Sequence, residues 1–117
     1  MSIDLKELQA LELWRRTVVT GIHRATPDFS QRQMAVLLSV YLTPPPHTVR
    51  GLAKNLHISK PAVTRALDRL AGHEFLRRKV DEADRRSVLI QRTVRGSIFL
   101  REFAEMIVES GRETGED

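Results

Sequence analysis

The chain contains no cysteine, which excludes disulfides, thiolate metal sites and cysteine-based redox sensing in any compartment. No apolar run is long enough to span a bilayer or to serve as a secretory signal, so a cytosolic protein is expected. The six glycines form neither a phosphate-binding nor a dinucleotide-binding pattern. His23, His47, His57 and His73 are scattered, without an i, i+4 pair or an accompanying carboxylate pattern, and are expected at the surface or in turns. Catalysis, a metal and a cofactor therefore have no support in the residues present.

What is present is basic charge in one place. The 117 residues suit one domain without a second independent core. Residues 1–47 carry five basic and four acidic side chains, residues 48–95 twelve against five, and residues 96–117 two against six. The positive excess is thus concentrated in the middle, where a phosphate backbone would be neutralised and its counterions released.

Hydrophobic periodicity divides the chain into helices and a hairpin. From Ser2 to about Arg24, Leu5, Leu8, Leu11, Trp14, Val18 and Ile22 recur at three- and four-residue intervals, predicting an amphipathic helix ended by Pro27. Leu13 and Val19 widen the stripe, enough to face both a core and another subunit. Ser30 suits the N-cap of a second helix whose apolar residues, Met34 to Leu42, cover most of its circumference, and Pro44 to Pro46 make a stiff connector. Thr48 caps a short support helix with Val49, Leu52, Ala53 and Leu56 inward; His57 and Ile58 turn the chain, and Ser59 caps the next helix, with Pro61 tolerated in its first turn.

On that next helix Ala62, Val63, Ala66, Leu67 and Leu70 share one face, while Ser59, Lys60, Pro61, Thr64, Arg65, Asp68 and Arg69 lie opposite. Short side chains at Ser59, Pro61 and Thr64 allow a backbone to come close to DNA. Arg65 can fork onto guanine or a phosphate, and Lys60 suits a phosphate. Asp68 would repel phosphate, so it is expected to hold Arg65 or Arg69 one turn away. Two strands follow, Arg77 to Val80 and Ser87 to Gln91, joined by Asp81-Glu82-Ala83-Asp84-Arg85-Arg86. The three carboxylates of this loop match no calcium-loop spacing and sit among arginines, so a cation site is disfavoured. An arginine at such a tip suits the narrow minor groove. The order helix, turn, helix, hairpin predicts a winged helix-turn-helix, mainly α with a small β wing.

Leu52-Ala53, Ser59, Val63-Thr64-Arg65, Leu67-Asp68-Arg69-Leu70, Phe75-Leu76-Arg77-Arg78 and Asp84-Arg85-Arg86-Ser87, followed by Leu89, Thr93 and Gly96, resemble the MarR-type (multiple antibiotic resistance regulator) winged-helix transcription factors across residues 32 to 100. The resemblance implies a homodimer on a pseudo-palindromic operator, usually a repressor and often released by a small ligand, which nothing in this chain identifies. It implies that Arg86 enters the minor groove, that Asp84 orients it, and that Thr64 and Arg65 work in the major groove. With the residue-level reading, the expected DNA-contacting set is Thr48, Ser59, Lys60, Pro61, Thr64, Arg65, Arg69, Arg77, Arg85 and Arg86. Where the family usually has glycine before the Phe75 equivalent this chain has Glu74, so Gly72 is expected to take over the left-handed cap.

A last helix from Thr93 to about Ser110, with Ile98, Phe99, Phe103, Met106 and Ile107 on one face and Glu102, Glu105 and Glu109 outside, precedes a polar tail from Gly111 to Asp117. The expected organisation is a single domain over 1–117. In it residues 30–92 read DNA, while 1–26 and 93–110 flank them as a reduced dimer platform. Two other classes stay open at this level: a winged-helix protein-interaction module, and an architectural protein coating DNA with little sequence preference. Salt-dependent operator binding and the specificity ratio separate them.

Overall fold

The computed structural model of the chain describes residues 5–116, in the order α1 (Leu5–His23), α2 (Gln31–Leu42), α3 (Val49–Leu56), α4 (Lys60–Gly72), β1 (Leu76–Val80), β2 (Val88–Arg92) and α5 (Val94–Glu116). Ser2 to Asp4, expected in the first helix, and Asp117, expected in the tail, lie outside the described residues, as does the side chain of Leu5 in the expected stripe. The chain forms two compact units: Phe29–Phe99, and the described parts of Met1–Asp28 with Leu100–Asp117. Residues 30–92, the expected reading module, fall inside the first.

In that unit each helix starts where the sequence offers an oxygen to its free N–H groups. Ser30 Oγ accepts from Gln33 N at 3.1 Å while Gln33 Oε1 accepts from Ser30 N at 2.9 Å, a reciprocal capping box. Thr48 Oγ1 accepts from Gly51 N at 3.0 Å, and Ser59 Oγ from Ala62 N at 3.2 Å. Between α3 and α4, His57 takes the left-handed conformation (φ 55°, ψ 42°), and the Ile58 amide closes the turn on the Ala53 carbonyl at 3.1 Å. Val63, Ala66, Leu67 and Leu70, at i, i+3, i+4 and i+7, make the buried face of α4. They meet Val36, Leu37 and Val40 of α2 and Leu52 and Ala53 of α3 in one core. α2 is buried on one side only, because α3, α4 and β2 all pack against that side. Leu42, expected to be covered, is 76% exposed.

The end of α4 corrects an expectation. Gly72 is still helical; the left-handed residue is Glu74 (φ 63°). Only there does the turn let the Phe75 amide reach back to the Leu70 carbonyl and the Glu74 amide to Ala71, both at 2.9 Å. The hairpin pairs Leu76 with Arg92 through to Val80 with Val88. It gains a third rung that the sequence did not suggest: Thr48 bridges Leu89, and the Ile90 amide donates to the His47 carbonyl at 2.9 Å. His47, expected at the surface or in a turn, lies in the connector between α2 and α3 and is buried there, with Nε2 3.1 Å from the Thr43 carbonyl.

The start of α5 is fixed by Tyr41. Its hydroxyl donates to the Phe75 carbonyl at 2.7 Å and accepts from the Thr93 amide at 3.0 Å. Thr93 Oγ1 caps α5 by accepting from Gly96 N at 2.9 Å. A β-carbon on Gly96 would lie 1.9 Å from the Tyr41 oxygen and 2.3 Å from the Phe75 carbonyl oxygen, so only glycine fits this crossing.

In the other unit, α1 ends at His23, where Ala25 turns left-handed (φ 54°) and the Thr26 amide returns to the Gly21 carbonyl at 3.0 Å. Pro27, the expected terminator, comes after the stop. Arg15 first, and then Arg16, holds the Glu12 carboxyl down at about 2, from an ordinary 4.5. Arg16 also reaches Glu113 of α5 at 3.4 Å. The buried side of α1 is polar and small, Thr17 and Gly21, while Leu8, Leu11, Trp14, Val18 and Ile22 are exposed, Trp14 at 63%. The expected polar tail is helix instead: α5 continues to Glu116, with Ser110 and Thr114 buried and Thr114 Oγ1 donating to the Ser110 carbonyl at 2.7 Å. Gly111 there faces Leu13, whose Cδ1 would lie 3.7 Å from an added β-carbon. Small side chains suit this α1–α5 contact, which outweighs the helix penalty of two glycines.

Gly96→Ala is expected to cost about 2–3 kcal/mol through overpacking at Tyr41, read as a lowered urea midpoint at constant m-value. Glu74→Gly is expected to raise stability by about 1 kcal/mol, because relief of the left-handed conformation outweighs one exposed pairing with Arg95. The same titration checks both.

Candidate nucleic-acid interface

α4 presents Ser59, Lys60, Pro61, Thr64, Arg65, Asp68 and Arg69 outward; all are exposed. The N-capping bond uses the Ser59 oxygen as acceptor and leaves its hydroxyl hydrogen free to donate to a phosphate. Pro61 in the first turn removes an N–H that has no intrahelical acceptor. Thr64 and Arg65 follow one turn later, and among the described residues Arg65 has no ion pair, so its guanidinium can serve a base edge or a phosphate.

The hairpin approaches α4 through its alternation. In β1, Leu76 and Arg78 share one face and Arg77 and Lys79 the other. The Leu76 face is the buried one, so Arg78 is brought against α4: its Nη2 donates to Asp68 Oδ1 at 2.6 Å and approaches the Thr64 carbonyl at 3.4 Å. Asp68 therefore holds neither Arg65 nor Arg69, as its position on the helix suggested, but a residue ten positions away on a strand. Strand pairing brings that guanidinium closer than any helical neighbour. Arg78 is the residue the sequence reading left unassigned, although alternation from Leu76 pointed to it.

Arg77 faces the other side, its Nε donating to its cross-strand partner Gln91 at 3.1 Å. Arg69 is drawn to the flank: Nη1 donates to Gln33 Oε1 at 2.9 Å and the guanidinium lies 4.8 Å from the Phe29 ring centroid. Neither joins the group formed by Ser59, Lys60, Pro61, Thr64 and Arg65. At the wing, Asp84 Oδ1 accepts from the Arg86 amide at 3.1 Å and lies 3.8 Å from Arg86 Nε. Its main action is on the loop backbone. The Arg86 side chain is 98% exposed. Arg85 pairs loosely with Glu82 at 3.6 Å. Between wing and helices lies an open cleft of about 540 Å³ lined by Thr48, Arg50, Lys60, Asp84, Arg86 and Ser87, among others. Three cations with a capping threonine suit a phosphate passing between the two grooves. Arg50 is a further cation of this cleft that the sequence reading passed over.

The family model described as MarR family matches residues 29–88, just over half the chain. The chain belongs to the MarR family. As a member it is a DNA-binding transcriptional regulator. Its fold is that of a Staphylococcus aureus MepR point mutant bound to an oligodeoxyribonucleotide (21% identity, TM-score 0.81, covering 97% of this chain and 80% of that one). MarR itself is 26% identical with a TM-score of 0.66, over 92% and 78% of the two chains. RV1404 from Mycobacterium tuberculosis is 25% identical with a TM-score of 0.74, over 94% and 75%. Among the described residues of this MarR-family chain, no helix is long and apolar enough to cross a membrane.

Substitution of Lys60 by Gln is expected to weaken binding to all duplexes alike and to lower the salt slope by about 1. Arg86→Ala is expected to lower affinity about tenfold, most for duplexes whose flanks narrow the minor groove. Fluorescence anisotropy across a salt series measures both.

Proposed function

We propose that this MarR-family chain is a repressor that binds a pseudo-palindromic operator as a homodimer in the cytoplasm, on the nucleoid. The observation that carries the reading is the outward ridge of α4, Ser59 to Arg65, set beside a wing whose Arg86 is exposed. Ser59, Lys60 and Thr48 anchor phosphates, Thr64 and Arg65 meet base edges in the major groove, and Arg86 with Arg85 enters the adjacent minor groove. Arg69 and Arg77, which the structure ties to Gln33 and Gln91, contribute only to the positive field.

The exposed stripe of α1, Leu8, Leu11, Trp14, Val18 and Ile22, supports the homodimer, because so continuous an apolar face needs a partner. Ile107 and Val108 of α5 are exposed as well. In an isologous dimer on such an operator, the two copies of α4 are expected about one helical turn, ~34 Å, apart along the duplex. The acidic exterior of α5, with Glu102, Glu105 and Glu109 exposed, keeps that end off the phosphates.

Selection from random duplexes followed by sequencing tests the reading: a symmetric consensus is expected, and enrichment without symmetry or sequence preference overturns it. Trp14→Asp is expected to shift the protein to monomer in analytical ultracentrifugation and to weaken operator binding about 100-fold, since each half-site then binds alone. A variant that stays dimeric and binds as before removes α1 from the interface.

A further inference from the structure

Asp68 is an anomaly on the face that meets DNA. Its side chain is 64% exposed, and it stands three and four residues beyond Arg65 and Thr64 on the same helical ridge. A bare carboxylate there repels phosphates, yet the fold does not hide it. It brings Arg78 from β1 alongside, in contact with Oδ1 at 2.6 Å and near the Thr64 carbonyl at 3.4 Å. Both contacts use Nη2, so the guanidinium lies along the flank of the helix and fixes the carboxylate from one side. The contact engages Oδ1, and an ionised carboxylate has acceptor positions beyond the one it uses.

We propose that Asp68 is a base-reading residue that accepts a hydrogen bond from the exocyclic amino group of a cytosine, with Arg78 as its positioning residue. The inference rests on the operator-binding reading above. An ionised carboxylate only accepts hydrogen bonds, and in the major groove cytosine N4 is the donor it suits, whereas guanine and thymine edges oppose it with acceptors. Arg78 supplies what the groove requires. It cancels the charge against the phosphates, and, itself tied to the Thr64 carbonyl, it favours one rotamer of Asp68. Arg65, relieved of that task, stays free for its own contact. The pair thus couples the base of the wing to the reading face of α4, so that a strand residue helps to set specificity without itself being called on to touch a base.

The experiment is selection from random duplexes and quantitative binding for the unaltered protein, Asp68→Asn, Asp68→Ala, Arg78→Gln and the Asp68→Ala/Arg78→Gln double variant, with thermal midpoints for each. The unaltered protein is expected to prefer cytosine at one position of each half-site. Asp68→Ala should lose about tenfold in discrimination at that position alone, and Asp68→Asn should move the preference toward adenine. Arg78→Gln, which leaves the carboxylate uncompensated, should weaken binding to every duplex. The double variant should recover most of that overall affinity without recovering the cytosine preference. Uniform weakening by all variants in step with lowered midpoints, with the consensus unchanged, would make the pair a structural tie and overturn the proposal. A consensus lacking cytosine at any position sensitive to Asp68 overturns it too, and leaves operator binding standing. If the unaltered protein selects no consensus, the operator reading itself fails and this one with it.

Discussion

The hydroxyl of Tyr41 holds together the parts that must keep their places if α4 is to meet DNA at a defined angle. It binds the carbonyl of Phe75, where the chain leaves α4 for β1, and the amide of Thr93, where it leaves β2 for α5. Two ends of the hairpin are therefore joined at one atom on α2. The arrangement works only because Gly96 has no β-carbon, which lets the first turn of α5 pass over the oxygen. Arg92 reinforces the joint, its Nε donating to the Val40 carbonyl at 2.9 Å and its guanidinium lying 5.8 Å from the Tyr41 ring centroid. Buried polar groups are costly when unpaired, so this network makes one geometry much better than its neighbours.

From that joint the wing inherits its position. Strand β2 pairs with β1 on one side and with the His47–Thr48 segment on the other. Thr48 is also the cap of α3, so the same residue starts the support helix and closes the sheet. Displacing the wing would therefore strain the helix-turn-helix, and the reverse. The Asp68–Arg78 contact adds a third link, on the exposed face of α4. A winged reader needs such couplings because its two grooves are addressed by separate elements whose spacing must match the duplex.

What the sequence disclosed follows the range of the interactions. Caps at Ser30, Thr48 and Ser59 and the inward face of α4 depend on neighbours within a turn, and they stand where residue type and spacing place them. Contacts across elements were not legible in the same way. Asp68 had arginines one and three positions away on its own helix, and only strand alternation combined with burial at Leu76 shows that Arg78 reaches it instead. Glu74 in a left-handed position runs against its intrinsic preference. It is held there by the bonds on either side and by the Thr93 hydroxyl, which donates to its carbonyl at 2.7 Å. At the end of α5, Gly111 and Gly115 lower helix propensity, yet the helix continues past them with Ser110 and Thr114 buried.

The stripe on α1 carries the same lesson to the level of assembly. Periodicity identifies where an apolar face lies but says nothing of what covers it. Had α1 served only a core within the chain, Leu8, Leu11 and Trp14 would be buried and Thr17 and Gly21 exposed; the opposite is observed. Small and hydroxyl-bearing residues face inward: a β-carbon on Gly21 would lie 3.0 Å from the Thr26 Oγ1 of the following turn, and a threonine in a helix can return its hydroxyl to a carbonyl, as Thr17 does to Leu13 at 2.9 Å. The larger residues are left outside, where the proposed homodimer would cover them. An inward face of small residues and an outward face of large ones is what a helix needs if it is to serve a fold and an interface at once.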